Sequence, residues 1–371
     1  MDADFVVIGA GIAGASAAFE LSKAGRVVLL EREDQPGYHT TGRSAALFTE
    51  AYGNATIRAL TRASRHFLEH PPAGFASAPL LAPRGALTIA AADRHDAFAA
   101  ALRELSERDD TIRQIDLEHA TRLFPPLNRA LVRYAHLEPN AMDMDVHAIH
   151  QGYLRGARAR GTVLVTGVRV EAIEPGWRVC ARDGDYRAPV VVNAAGAWAD
   201  EVAAMAGVPP IGLVPKRRTV LLFDPPPGTE IAAWPMVLDV DETCYMKPDA
   251  GRLLASPADE TPSPPTDAQP EEEDIAHAID RLERFTTLKV GRVTHKWAGL
   301  RSFVADKTLV AGAAPGASGF FWVAGQGGYG IQTSPTMGRI VAALVAGRAI
   351  PADIADQGVS AAALDPARFA R

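Results

Sequence analysis

The chain predicts an α/β protein in two parts: a Rossmann-like parallel-sheet domain made of discontinuous segments, and an α+β domain with an antiparallel sheet. Three observations carry this. A strand, glycine turn, helix and strand open the chain at residues 4–31. A second glycine-rich turn into a helix closes it at residues 325–344. Between them, residues 208–297 are rich in proline and in short alternating segments, the mark of antiparallel strands.

The opening unit is the most informative. Phe5-Val6-Val7-Ile8 is a short apolar run suited to a buried parallel strand. Gly9, Gly11 and Gly14 follow at G-x-G-x-x-G spacing. The first allows a tight turn, the second lets a pyrophosphate approach the backbone, and the third lets the helix pack on the sheet. The helix start at Ile12 and Ala13 offers free N–H groups and a partial positive charge to phosphates. Glu31 ends the next strand, where a carboxylate accepts bonds from the ribose hydroxyls. This favours an unphosphorylated ribose and admits FAD and NAD alike.

The whole chain narrows the function classes. Its 371 residues suit two domains, and a net charge of -6 with scattered basic residues argues against a nucleic-acid surface. No apolar run reaches membrane-spanning length, and the start of the chain carries no export pattern. The expectation is a cytoplasmic protein with no transmembrane segment. Cys180 and Cys244 form no metal-ligand pattern and are read as packing residues.

In order along the chain, residues 32–46 are polar and glycine-punctuated, a loop placed to run along the cofactor, with hydrogen bonds expected from Thr41, Arg43 and Ser44. Residues 55–69 predict a helix ended by Pro71-Pro72, and residues 80–89 strands around Pro83-Arg84-Gly85. Residues 93–108, 116–123 and 145–159 predict helices. Strands follow at 162–165, 167–173, 177–180 and 190–193, the last entering a small-residue turn, Ala194-Ala195-Gly196-Ala197-Trp198, like that of the first strand. Segments 219–223, 236–246 and 253–256 predict the second sheet, 257–270 an exposed loop, and 271–285 a helix opening with acids. The tail returns with strands at 309–312 and 320–324, then Gly327-Gly328-Tyr329-Gly330-Ile331, a helix start aimed at an electron-rich group.

Together these segments resemble the D-amino-acid oxidase superfamily of FAD enzymes, and more closely the FAD-dependent D-arginine dehydrogenases. The likeness runs nearly end to end. It rests on Val7 to Ser16, Gln35-Pro36-Gly37-Tyr38-His39, Thr41-Gly42-Arg43-Ser44-Ala45-Ala46 and His150-Gln151-Gly152-Tyr153-Leu154-Arg155-Gly156. It continues through Val192 to Trp198, Pro215-Lys216-Arg217-Arg218, Trp297 to Asp306 and Gln326 to Ser334. The resemblance implies an FAD-binding domain of residues 1–46, 140–207 and 298–371, and a substrate-binding domain of residues 47–139 and 208–297. It implies non-covalent FAD held by Gly9, Gly11, Ile12, Ala13, Gly14, Glu31, Arg32, Thr41, Arg43, Ser44, Ala45, Val170, Ala195, Gly196, Trp198, Arg301, Gly327, Gly328, Tyr329, Gly330 and Ile331. Arg218 and Arg301 match arginines that hold a substrate carboxylate, and Tyr52 and Tyr245 match tyrosines that bond or cover it.

Two departures bear on the substrate. Leu47 stands where that pattern carries a histidine, and Ala86 where it carries an acid suited to a guanidinium. A guanidinium buried without a counter-charge is costly. Leu47, Phe48, Ala86, Met236 and Leu238, with Gly328, then form an apolar pocket for a neutral or hydrophobic D-amino acid, unless Glu50 or another acid supplies the missing charge. The expected reaction is oxidative deamination to a 2-oxo acid and ammonia, by hydride transfer from the substrate Cα to flavin N5. The electron acceptor is left open. The rivals are a glycine- or sarcosine-type amine oxidase or a 2-hydroxy-acid dehydrogenase of the same superfamily, an NAD-dependent dehydrogenase, and a non-catalytic flavoprotein.

Overall fold

The computed structural model describes residues 1–369. Its first sheet has six strands, in the spatial order Val310–Ala313, Phe320–Ala324, Val190–Asn193, Phe5–Ile8, Val27–Leu30, Val163–Val165. All neighbours run parallel except the Val310–Ala313 edge. Both faces of this sheet are covered, which is why its strands read as unbroken apolar runs rather than alternating ones. On one face Val7, Leu29 and Val192 meet helices Ile12–Leu21, Val146–Ala159 and Gly330–Val345. On the other, Val6, Val28 and Val191 meet helix Ala199–Met205 and a three-stranded antiparallel sheet of Val170–Glu174, Arg178–Ala181 and Gly184–Arg187.

The second large sheet has eight strands, in the order Val293–Phe303, Val214–Phe223, Arg252–Ser256, Tyr245–Asp249, Met236–Asp239, Ala86–Ala91, Val132–Glu138, Arg113–Ile115. Only the pairing of Met236–Asp239 with Ala86–Ala91 is parallel. Side chains alternate across a strand, so its two faces have different tasks. One face presents Leu87, Val237, Met246, Leu253 and Leu221 to helix Glu272–Phe285 and closes a core. The register places Ala86, Met236, Leu238, Tyr245, Arg218 and Arg301 together on the other.

The helices predicted at 55–69, 116–123, 145–159 and 271–285 stand at Ala55–Glu69, Leu117–Leu123, Val146–Ala159 and Glu272–Phe285. Asn54, Asp116 and Asp145 cap the first three through their side chains, each accepting a backbone N–H. Helix Gly330–Val345 contains Pro335, whose missing N–H strands the Ile331 carbonyl, and the Ser334 hydroxyl donates to that carbonyl at 2.8 Å.

The structure adds to the expectations at four places. Val293–Phe303 is one strand of the eight-stranded sheet, so that sheet continues past residue 298 along its full ladder with Val214–Phe223. The 236–246 segment is a hairpin of two strands, turned where the Asp239 carboxylate accepts the N–H groups of Thr243 and Cys244. Strands Arg113–Ile115 and Val132–Glu138 were not anticipated. Residues 257–270 form a fastened strap: Asp259 accepts from Thr219, Arg217 N–H donates to the Thr261 carbonyl, and Ala268 is buried against Ala197, Ala298 and Leu300.

Among the described residues no helix is long and apolar enough to cross a membrane, and no cluster of metal-ligating side chains occurs.

Candidate active site

One cleft, with about 1680 Å³ of empty volume opening to solvent, runs from the carboxyl ends of the parallel strands to the face of the eight-stranded sheet that carries Arg218, Tyr245 and Arg301. The glycine turn builds its floor. Gly9 has φ +98°, and a Cβ there would lie 2.5 Å from the Ala194 carbonyl oxygen. A Cβ on Gly14 would lie 1.8 Å from the Gly9 carbonyl oxygen, so only glycine lets the helix start against the turn. Gly11 meets nothing but the Thr41 hydroxyl and leaves its surface open for a phosphate.

The polar groups around this turn are spent on shaping it. Glu31 is buried. One of its oxygens accepts the Ala10 N–H at 2.8 Å and the other the Glu33 N–H at 3.0 Å. Each oxygen keeps a lone pair for a ribose hydroxyl. Thr41 accepts the Ile12 N–H at 3.0 Å, which leaves its own hydroxyl hydrogen free to donate. His150, absent from the sequence-derived site, donates from Nε2 to the Ala10 carbonyl at 2.8 Å. Burial lowers its pKa and keeps the imidazole neutral. Nothing local in the sequence marks a helical histidine as the prop of a turn 140 residues away.

Along the cleft, Arg32 lies over Trp198 at 4.4 Å, and Val170, Ala195 and Gly196 line the same stretch. Ser44 and Ala45 also line it. Arg43 lines it too, but its guanidinium is turned away from the cofactor path. It donates to the Ala268 and Ala298 carbonyls at 2.9 and 2.8 Å and pairs with Asp267. Its physical role is to tie the loop to the strap.

At the far end the C-terminal turn meets the sheet. Gly327, Gly328, Gly330 and Ile331 line the cleft, with the uncapped N-terminus of helix Gly330–Val345 behind them. Gly328 is in near contact with Arg301: a Cβ would stand 2.9 Å from a guanidinium nitrogen. The Tyr52 and Tyr329 rings lie 5.0 Å apart between centroids, tilted by 55°, and Tyr329 itself is buried off the cleft wall. Burial works against the charge of Arg301. The facing hydroxyls of Tyr52, Tyr245 and Tyr329 more than offset it and hold the guanidinium above its ordinary pKa. Arg301 makes no salt bridge among the described residues, whereas Arg218 donates to the Asp259 carbonyl at 2.9 Å and lies 3.5 Å from Glu260.

Two cleft-lining atoms, Tyr245 Oη and Gln326 Nε2, are buried with no hydrogen-bond partner. A buried orphan is expensive unless a ligand completes it. Gln326 was not singled out from the sequence. Its side chain packs beside Gly330, where an added Cβ would stand 3.1 Å from Gln326 Cβ and 3.3 Å from Ile12 Cγ2, near the two helix N-termini.

Of the residues expected to form the substrate pocket, only Gly328 lines the cleft. Leu47 is half-buried, and Met236 and Leu238 pack with Tyr245, Val220 and Leu254. Phe48 is a correction: it is fully buried in the helical core with the Arg65 guanidinium 4.9 Å from its ring, because strand alternation turns it opposite to Leu47. Ala86 is buried too, but on the same face as Met236. Glu50 is committed to Arg65 at 2.6 Å. Cys180 and Cys244 are free thiols off the cleft.

The profile of the FAD dependent oxidoreductase family matches residues 4–344. The chain belongs to this family. The glycine turn, Glu31 and the unpaired Gln326 amide are the residues that fit the FAD of this family. Mitochondrial dimethylglycine dehydrogenase of Rattus norvegicus is 26% identical over 69% of this chain. That alignment covers 31% of the relative, so the chain spans about a third of its length. Glycine oxidase of Bacillus licheniformis is 25% identical over 94% of both chains. The crystal structure of glycine oxidase from Geobacillus kaustophilus superposes with a TM-score of 0.81, covering 94% of this chain and 95% of the other at 21% identity.

Proposed function

We propose that this flavoenzyme oxidatively deaminates D-amino acids with neutral or hydrophobic side chains, yielding a 2-oxo acid and ammonia. The observation that carries the reading is Arg301: a cation in the cleft, packed on Gly328, ringed by tyrosines, and without a counter-ion among the described residues. Such a group needs an anion, and a substrate carboxylate is the anion that fits a guanidinium fork. Tyr245 Oη, buried and unpaired, is the second donor to it. Arg218, already engaged with the strap, flanks the carboxylate and shields it from water.

Bound FAD supplies the two-electron oxidation. The protein residues set position and charge. The arginine and tyrosines fix the carboxylate, which leaves the α-carbon one orientation toward the cofactor. The carboxylates lining the cleft, Glu31, Glu33 and Glu201, sit on the dinucleotide-holding segments rather than on the sheet with Arg301. The substrate amine therefore loses its proton to water. Leu47, Met236 and Leu238 supply the apolar wall, and the D configuration rests on the likeness to D-arginine dehydrogenases.

A second reading, a glycine- or sarcosine-type amine oxidase, is favoured by the names of the relatives, glycine oxidase and dimethylglycine dehydrogenase. Steady-state kinetics separate the two. The first predicts a higher kcat/KM for D-leucine, D-methionine and D-phenylalanine than for glycine, sarcosine, D-arginine or D-lysine near neutral pH. A higher value for glycine or sarcosine rejects it, and a higher value for D-arginine or D-lysine rejects the apolar pocket.

A further inference from the structure

We infer that Glu138 is a specificity-determining residue that admits substrates with cationic side chains when its carboxyl is ionised. This rests on the reading that Ala86, Met236 and Leu238 form the wall for the substrate side chain. The sheet register carries the argument. Met236 stands directly opposite Ala86, and Ala86 directly opposite Glu138, so the three side chains form one row across three strands on one face. The neighbouring row holds Tyr245, Leu238 and Thr88. Side chains directly opposite one another lie about 5 Å apart at Cβ. At Ala86 only a methyl group stands between the wall and the Glu138 carboxyl.

The surroundings leave that carboxyl without a cation. One oxygen accepts the Thr49 hydroxyl at 2.5 Å, three residues before Tyr52, and the other has no partner among the described residues. Burial, reinforced by Asp109 and Glu50, pushes the carboxyl up to about 7, and Arg65 only partly opposes this. Arg65 is held by Glu50 at 2.6 Å and Glu69 at 2.8 Å. Lys247, on the strand beyond Met236, is held by Asp143 at 2.7 Å. His136, two residues earlier on the same face, is pushed down to about 4 by burial and stays neutral.

The consequence is a pocket whose end changes character. Below neutrality the wall ends in a protonated carboxyl and suits apolar side chains. Above it, the end is an anion with no protein counter-charge, and an ammonium or guanidinium at side-chain reach supplies one. The carboxyl is one strand away from the position where the D-arginine dehydrogenase pattern carries its acid.

The test is anaerobic flavin reduction by D-leucine, D-lysine and Nε-acetyl-D-lysine at pH 6 and pH 8.5. The lysine side chain stays charged throughout, with a pKa of about 10.4. The α-amines titrate alike, so their ionisation cancels in a ratio. The expected result is a D-lysine to D-leucine ratio of kcat/KM that rises about tenfold with pH in the wild type and stays flat in Glu138→Gln. A flat wild-type ratio overturns the assignment, and so does an equal rise in Glu138→Gln. Should Glu138→Gln fail to hold FAD, the wild-type ratio of D-lysine to its acetylated, uncharged form decides: a rise supports Glu138, no rise removes it. Reduction by D-leucine with flat ratios sinks this inference alone. Reduction by no D-amino acid sinks the function it rests on as well.

Discussion

The two ends of the cleft are built by opposite means. At the dinucleotide end the contacts come from backbone geometry: Gly9 and Gly14 fix the turn, and Glu31, Thr41 and His150 are bonded to its main chain. At the substrate end the contacts come from side chains on one face of a sheet, Arg301, Arg218, Tyr245, Met236 and Ala86, drawn from strands far apart in sequence. Apart from the unpaired Gln326 amide, the first end has its hydrogen bonds made before a ligand arrives. The second retains an unpaired cation and an unpaired phenol. A cofactor site can be rigid because its ligand does not change. A substrate site holds unpaired groups because its ligand comes and goes.

This contrast can be broken at either end. The largest effect belongs to the backbone-built end. Gly14→Val would drive a side chain into the Gly9 carbonyl, 1.8 Å from the new Cβ, and overpacking of that kind costs about 3 kcal/mol or more. We expect protein purified with little FAD, read as the ratio of flavin to protein absorbance. Normal FAD content would show that the turn is not the cradle.

Next comes Arg301→Met, which should retain FAD and lose about 100-fold in kcat/KM, in line with charge-assisted bonds of about 1.5–3 kcal/mol. A tenfold smaller loss would move the carboxylate to Arg218. Tyr245→Phe should be milder, about fivefold in kcat/KM for one neutral donor. Its melting temperature should not fall, because the hydroxyl removed is buried and bonded to nothing in the free protein. A drop of several degrees would mean the hydroxyl has a structural partner.

The smallest effect is on stability. The Glu138 carboxyl ionises near its usual 4.5 when unfolded and near 7 when folded. Above pH 4.5 the unfolded state therefore holds fewer protons than the folded one, and the contribution of Glu138 to stability falls as pH rises to 7. Glu138→Gln removes this loss. Its melting temperature should exceed that of the wild type by about 2–4 °C at pH 8, with the difference shrinking toward pH 5. A variant less stable than the wild type at pH 8 would show that the carboxyl is paired.

Legibility in the sequence followed the same division. The glycine spacing, Glu31 and the C-terminal turn are local signals, and each lies on the cleft or shapes it. The arginines and tyrosines were found only through the resemblance, since nothing around Arg301 in sequence announces that Gly328 and Tyr52 will meet it. Phe48 was misplaced because the alternation of a two-residue strand cannot be fixed without its partner, Met142–Met144. Glu138 was missed because its strand was not anticipated. Its partner across the ladder, Ala86, lies 52 residues earlier, a distance that no local pattern spans. His150 and Gln326 were missed because a polar side chain in a helix or turn does not reveal whether it faces solvent or a distant backbone.

The central claim is that a D-amino-acid carboxylate completes the Arg301 site. The direct measurement is anaerobic bleaching of the flavin band by a panel of D- and L-amino acids, glycine, sarcosine and 2-hydroxy acids, in the wild type and in Arg301→Met. The account predicts bleaching by neutral D-amino acids in the wild type, at least about 100-fold slower in the variant. Bleaching by L-amino acids, by glycine or sarcosine alone, or at equal rates in the two proteins would contradict it.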